Sequence, residues 1–270
     1  MKTNKDNIDT IIFTDLDGTL LDHNTYSFAK AKEMLDFIKT NKIPLVIVSS
    51  KTKNEILQLQ KSLKIDSTFI FENGAGVYIS DDDVHKTLSL GFNIKHIQEA
   101  FERYKKTIHM VGFSDLSAKE VAKLTGLDVI KAGKAKDRLF TEPFILKDKN
   151  DIYELKDMAE KDGLDIVEGG RFFHLITKGQ DKAKALEVVK SYYEEVYKKR
   201  FTSIALGDSQ NDFSMLGCVD VPILIPHPDG SYMSCDIKNL IRAPKPGPEG
   251  WSMALKEYFD NNQNLVEKYA

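Results

Sequence analysis

Two aspartates one residue apart stand in the string Asp15-Leu16-Asp17-Gly18-Thr19-Leu20, directly after the apolar run Ile11–Thr14. A carboxylate such as Asp15 can attack phosphorus. A second one close by, Asp17, can protonate the leaving oxygen and then activate water. Gly18 permits the tight turn that brings both around a strand end. Phosphoryl transfer also needs countercharge, and a Mg²⁺ held by oxygen ligands would offset carboxylate and phosphate together. An isolated Asp-x-Asp reads equally well as an acidic turn. The apolar run before it and the Gly-Thr-Leu after it favour the chemical reading.

Asp15–Leu20 resembles the first motif of the haloacid dehalogenase superfamily, and three further segments follow in that family's order. Ser49 ends the run Pro44–Val48. Its hydroxyl and the backbone N–H groups of Ser50 and Lys51 can hold phosphate oxygens. Ser50 and Lys51 stand where many relatives have Gly-Arg, and Thr52 is a candidate helix cap. Lys182, in Lys178-Gly179-Gln180-Asp181-Lys182, matches the family's lysine at the start of a helix, where it screens nucleophile and phosphoryl group. Asp181 would cap that helix. Gly207-Asp208-Ser209-Gln210-Asn211-Asp212 matches the fourth motif. There Asp208 is the expected metal ligand, with Asn211 and Asp212 orienting the ligands, or Lys182, from behind. The resemblance thus implies catalytic Asp15, Asp17 and Lys182. It also implies one Mg²⁺ on the side chains of Asp15 and Asp208 and the main-chain carbonyl of Asp17.

These groups need elements to carry them. Leu45–Val48 runs into Ser49, Thr68–Phe71 into Glu72-Asn73-Gly74, Ser203–Leu206 into Gly207-Asp208, and Val221–Ile225 into a turn. Short apolar runs without alternation suit strands buried on both faces. Between them Phe28, Ala31, Leu35 and Ile38, and later Leu186, Val189, Tyr193 and Val196, repeat at helical spacing. Alternating strands and helices predict an α/β fold with a Rossmann-like open parallel sheet, whose ligands sit beyond the carboxyl ends of the strands.

Residues 82–180 read differently. Ile94, Ile97, Phe101 and Tyr104, then Ile152, Leu155 and Ala159, mark helices. Phe140–Leu146, Leu164–Val167 and Phe172–Ile176 look like strands. The expected organisation is a catalytic core of residues 1–81 and 181–270 with an inserted α+β cap, 82–180, that sets substrate specificity. This placement, between the second and third motifs, resembles the type IIB, or Cof-like, cap subclass.

Composition bounds the alternatives. The 270 residues exceed a common domain size of ~100–150, which favours two domains or a large insertion. A hydrophobic share of 41% supports a packed core. The net charge of -3 gives no basic footprint for nucleic acid. Cys218 and Cys235 lack zinc-like spacing and suit a reducing compartment. His23, His85, His96, His109 and His227 show no metal-site spacing. With no signal-like start and no long apolar run, a soluble cytoplasmic protein without membrane contact is expected.

Narrower strings add a closer resemblance. Glu72-Asn73-Gly74-Ala75, Arg138-Leu139-Phe140-Thr141-Glu142-Pro143, Gly169-Gly170-Arg171-Phe172-Phe173-His174 and Gly247-Pro248-Glu249-Gly250-Trp251 resemble the mannosyl-3-phosphoglycerate phosphatase family. That implies hydrolysis of mannosyl-3-phosphoglycerate to mannosylglycerate and phosphate through an aspartyl-phosphate. The implied substrate contacts are Ser49, Ser50, Lys51, Asn73, Arg138, Glu142, Arg171 and His174. Arg171, or alternatively Arg138, could hold the carboxylate bidentately, and Glu142 and His174 could bond sugar hydroxyls. Other readings are a sucrose-phosphatase-like or Cof-like phosphatase, a phosphomannomutase-like enzyme, or a sugar-phosphate-binding regulator. The regulator would be expected to lack one of Asp15, Asp17, Lys182 or Asp208, and all are present.

Overall fold

The computed structural model describes residues 9–81, 84–168 and 172–262. Its first half runs β1 (Thr10–Thr14), α1 (Lys32–Thr40), β2 (Leu45–Val48), α2 (Lys53–Leu63), β3 (Phe69–Phe71), β4 (Gly76–Asp81), β5 (Val84–Ser89), α3 (Ile94–Tyr104), β6 (Met110–Gly112), α4 (Ala118–Thr125) and α5 (Val129–Ala135). Then follow β7 (Glu142–Leu146), α6 (Ile152–Lys161), β8 (Leu164–Glu168), β9 (Phe173–Thr177), α7 (Lys182–Tyr197), β10 (Thr202–Gly207), α8 (Phe213–Gly217), β11 (Val221–Leu224), β12 (Ile241–Arg242) and α9 (Gly247–Asn262).

The chain forms two compact units, one reaching to Val48 and resuming at Leu186, the other spanning Ser49–Ala185. In the first, five strands lie in the order β12-β11-β10-β1-β2, all parallel. β1 is central, and its Ile11, Ile12 and Phe13 are fully buried, as a strand covered on both faces requires. Phe37 of α1 packs on Phe259 of α9, with ring centroids 5.2 Å apart. Trp251 is buried, and its indole N–H donates to Thr14 Oγ1 at 3.0 Å. The α9 helix therefore secures the end of the strand that leads into Asp15.

The second unit holds an antiparallel β3-β4-β5 meander and a separate antiparallel sheet, β6-β7-β9-β8. Helices α3 and α6 cover one face of that sheet, burying Phe101, Phe144, Leu155, Ile166 and Leu175 in one cluster. The expected α/β class, a mostly parallel sheet with a separate antiparallel one, is the observed class.

β5 and β7 depart from the sequence reading. β5 is almost wholly exposed and polar, so it carried no apolar run to mark it. β7 starts at Glu142, two residues later than Phe140, because the N–H groups of Leu139 and Phe140 donate to the Glu72 carboxylate instead. The last helix begins at Gly247, since Pro248 in its first turn needs no N–H partner. Among the described residues no helix is long and apolar enough to cross a membrane.

Candidate active site

Asp15 leaves β1 with its N–H still donating to Leu206 O of β10 at 2.9 Å. The chain then turns at once, with Leu21 N donating to Leu16 O at 2.8 Å and Gly18 N to Leu21 O at 3.0 Å. Gly18 has φ +83, and a Cβ there would lie 2.3 Å from Asp208 Oδ2. Only glycine satisfies both the left-handed backbone and that approach.

Asp208 follows β10 in the same way. Its N–H and that of Ser209 both donate to Asp212 Oδ2 at 3.1 Å. Asp212 is fully buried, and Gly207 leaves room for it, because a Cβ there would sit 2.5 Å from Asp212 Cβ. Thr19 directs its hydroxyl at Asp208 Oδ1, 3.4 Å away.

Carboxylate oxygens of Asp15, Asp208 and Asp212 come within 4.8 Å of one another. Three hard oxygen donors so close suit a hard divalent cation such as Mg²⁺. The expected ligand set was Asp15, Asp208 and the Asp17 carbonyl. The convergent side chains are Asp15, Asp208 and Asp212, with Asp17, half-buried, two residues on from Asp15. Asp212 was expected only as support, and its signal was simply its place in the Gly207–Asp212 string.

The second unit carries the remaining candidates. Ser49 is buried. Its N–H donates to Ile70 O, and its carbonyl accepts from Asn73 N, both at 3.0 Å. Its Oγ accepts from Lys51 N at 3.2 Å, so Ser49–Lys51 forms a tight loop. Thr52 caps α2 in a reciprocal arrangement with Glu55. Lys182 opens α7 and is buried, a setting in which an ammonium requires compensating charge. Asp181 Oδ1 accepts from Lys184 N at 2.8 Å, as a cap should.

The proposed sugar and carboxylate contacts divide. Arg138 donates Nε to Ala135 O at 3.0 Å and Nη1 to Ser50 O and Thr141 Oγ1 at 2.9 and 3.1 Å. Glu142 accepts from Ser114 N at 2.8 Å and from Gln98 Nε2 at 3.2 Å. Burial raises its carboxyl above the ordinary value, against the hydrogen bonds and the Arg138 charge. His174 pairs across the sheet with Pro143, and Glu142 with Leu175, so the two side chains leave opposite faces. His174 is buried, and among the described residues its Nδ1 has no hydrogen-bond partner. Burial, with a smaller push from Arg138, lowers its pKa to about 3, which leaves a neutral imidazole. Gly169, Gly170 and Arg171 lie outside the described residues, as do Asp82 and Asp83.

One residue that the sequence reading quoted only within a string, without a role, is prominent. Glu72 is fully buried, and its carboxylate accepts from Leu139 N at 2.8 Å, Phe140 N at 3.0 Å and Thr141 Oγ1 at 2.8 Å. Its only sequence signal is its position before Asn73-Gly74.

A family model for haloacid dehalogenase-like hydrolases matches residues 12–225. The chain belongs to this family. A glucosyl-3-phosphoglycerate/mannosyl-3-phosphoglycerate phosphatase from Persephonella marina is 44% identical over 256 residues, 91% of this chain and 95% of the relative. A protein of the same name from Methanococcoides burtonii is 38% identical over 274 residues, 94% and 99% of the two chains. Among solved structures, a subclass IIB sugar phosphatase of this superfamily aligns with TM-score 0.64 at 16% identity, covering 92% of this chain and 98% of its own. At that identity the likeness concerns the fold alone.

Proposed function

We propose that this hydrolase is a Mg²⁺-dependent phosphatase that converts mannosyl-3-phosphoglycerate, or its glucosyl counterpart, to the glycosylglycerate and phosphate. The observation that carries the chemistry is the convergence of Asp15, Asp208 and Asp212 within 4.8 Å, with Asp17 one residue from a turn that only Gly18 can make. Similarity over nearly the whole length to two phosphatases of that name supports the substrate.

In this reading an Asp15 carboxylate oxygen attacks phosphorus, and the glycerate oxygen leaves with a proton from Asp17. An aspartyl-phosphate remains. Asp17, now a carboxylate, takes a proton from water as that water attacks the same phosphorus, which releases phosphate and restores Asp15. Mg²⁺, held by Asp15, Asp208, Asp212 and the Asp17 carbonyl, would offset the negative charge gathered there. Ser49 with the Ser50 and Lys51 amides, and Lys182, are assigned to phosphate oxygens by their motifs. Asn73 is assigned to supporting that loop, with Asn211 behind the metal ligands.

Selectivity is assigned to the inserted residues 82–180. Neutral His174 suits a sugar hydroxyl, and Arg171 suits the carboxylate. Glu142 is left out, because both its oxygens are engaged within the unit. The half-buried thiols of Cys218 and Cys235 fit a reducing, cytoplasmic setting.

The test is phosphate release from mannosyl-3-phosphoglycerate, glucosyl-3-phosphoglycerate and a panel of hexose phosphates, with and without Mg²⁺. The two glycosylphosphoglycerates should be preferred, and activity should vanish on chelation. Preference for a hexose phosphate would overturn the substrate, and isomerised sugar phosphate without released phosphate would indicate a mutase.

A further inference from the structure

Three consecutive carbonyls of the Ser49–Lys51 loop each have a defined donor. Ser49 O accepts from Asn73 N and Lys51 O from Glu72 N, both at 3.0 Å, and Ser50 O accepts from Arg138 Nη1 at 2.9 Å. In a trans peptide the C=O and the following N–H point in opposite directions. Fixing the carbonyls of Ser49 and Ser50 therefore fixes where the N–H groups of Ser50 and Lys51 point.

The donors are themselves tied together. Arg138 Nη1 also donates to Thr141 Oγ1 at 3.1 Å, and that hydroxyl donates to Glu72 Oε2 at 2.8 Å. The other bonds to the Glu72 carboxylate come from the next two backbone N–H groups, Leu139 and Phe140. Glu72 and Asn73 adopt φ +50 and +56, a left-handed backbone that non-glycine residues seldom use. Such backbone persists where its surroundings over-determine it. Here it lets two successive N–H groups meet the loop while the Glu72 side chain meets residues 139–141. Gly74 continues the turn at φ +92, where a Cβ would lie 2.1 Å from Asp181 O.

We infer that Glu72 and Arg138 are positioning residues for the phosphate loop: through them the segment Arg138–Thr141 of the inserted module fixes the two peptides that aim the Ser50 amide and hold the Lys51 N–H on Ser49 Oγ. The inference rests on the assignment of Ser49–Lys51 to phosphate. It gives Arg138 a different task from the substrate contact expected of it. A carboxylate ligand affects only substrates that carry a carboxylate. A residue that aims the loop affects every phosphate, including the free ion.

The test is the inhibition constant of inorganic phosphate, measured with the full chain and Mg²⁺ against a small aryl phosphate as substrate. The variants are Ser49→Ala, Arg138→Ala, Arg138→Lys and Glu72→Gln, each checked for fold by circular dichroism. Arg138→Ala should raise the constant by about tenfold or more, the scale of one charge-assisted hydrogen bond. Arg138→Lys, which keeps a donor for Ser50 O, should recover part of the loss. Glu72→Gln should raise the constant too, because its amide would face a backbone N–H. If that buried variant does not fold, Arg138→Ala decides alone. An unchanged constant in Arg138→Ala, with weakening confined to substrates bearing a carboxylate, would overturn the inference and leave Arg138 as a carboxylate ligand. An unchanged constant in Ser49→Ala would instead remove the phosphate-loop assignment, and the inference with it.

Discussion

Asp212 Oδ2 accepts the backbone N–H of Asp208 at 3.1 Å while the Asp212 carboxylate stands in the cluster formed with Asp15 and Asp208. One side chain thus shapes the turn that presents Asp208 and adds a third oxygen donor beside it. Asp212→Asn should keep an acceptor for the turn but remove the charge. The Mg²⁺ concentration for half-maximal activity should rise by about 10–100-fold, the range for a group that supports or joins a metal shell. A Mg²⁺ titration of activity checks this, with thermal unfolding to confirm that the variant is folded.

Gly18→Ala probes the same place from the other side. The new methyl would meet Asp208 Oδ2 at 2.3 Å, on a backbone at φ +83. Strain of this kind costs about 1–3 kcal/mol, and Asp208 must move to relieve the contact. The expected outcome is a lowered unfolding midpoint together with a large loss of turnover. Denaturant unfolding and steady-state kinetics on the same preparation measure both.

Much of this arrangement was legible in the sequence, for a physical reason. Parallel strands buried on both faces read as short apolar runs, and Ile11–Thr14, Leu45–Val48 and Ser203–Leu206 run into Asp15, Ser49 and Gly207-Asp208. Asp15 could be found from the Asp-x-Asp that follows its strand, and Asp208 from the resemblance of Gly207–Asp212 to the family's fourth motif; that β10 lies beside β1 is visible only in the structure. Glu72 could not be, because its partners lie 67 to 69 residues away and nothing local marks a carboxylate that collects backbone N–H groups. Arg138 was legible as a candidate guanidinium for the substrate, but not as one already engaged by Ser50 and Thr141. Sequence likewise could not separate Glu142 from His174. The residues are alike in polarity, and only the pairing of Glu142 with Leu175 and His174 with Pro143 puts them on opposite faces.

That separation has a pH signature. His174 is held neutral, with its pKa lowered from 6.5 to about 3. Between those values the unfolded chain binds a proton there that the folded chain does not. Its stabilising contribution is therefore complete above the ordinary imidazole value and is lost as pH falls through the window, by up to about 1.4 kcal/mol per pH unit. Glu142 has the opposite sign: its raised carboxyl value favours the folded state below the ordinary value and is lost as pH rises through the folded one. His174→Gln should flatten the fall in stability between pH 6.5 and 3. Denaturant unfolding across that range, for both proteins, measures the change in slope.

The central claim is that Asp15 carries the phosphoryl group, and the most direct measurement is to trap it there. In Asp17→Ala, a small aryl phosphate needs little help from an acid to leave, but hydrolysis of the aspartyl-phosphate has lost its base. Mass spectrometry of this variant, quenched in acid after incubation with aryl phosphate and Mg²⁺, should find a phosphoryl group on the peptide containing Asp15. The double variant Asp15→Asn, Asp17→Ala should carry none. A phosphoryl group on another residue, or continued turnover by a folded Asp15→Asn single variant, would contradict the account.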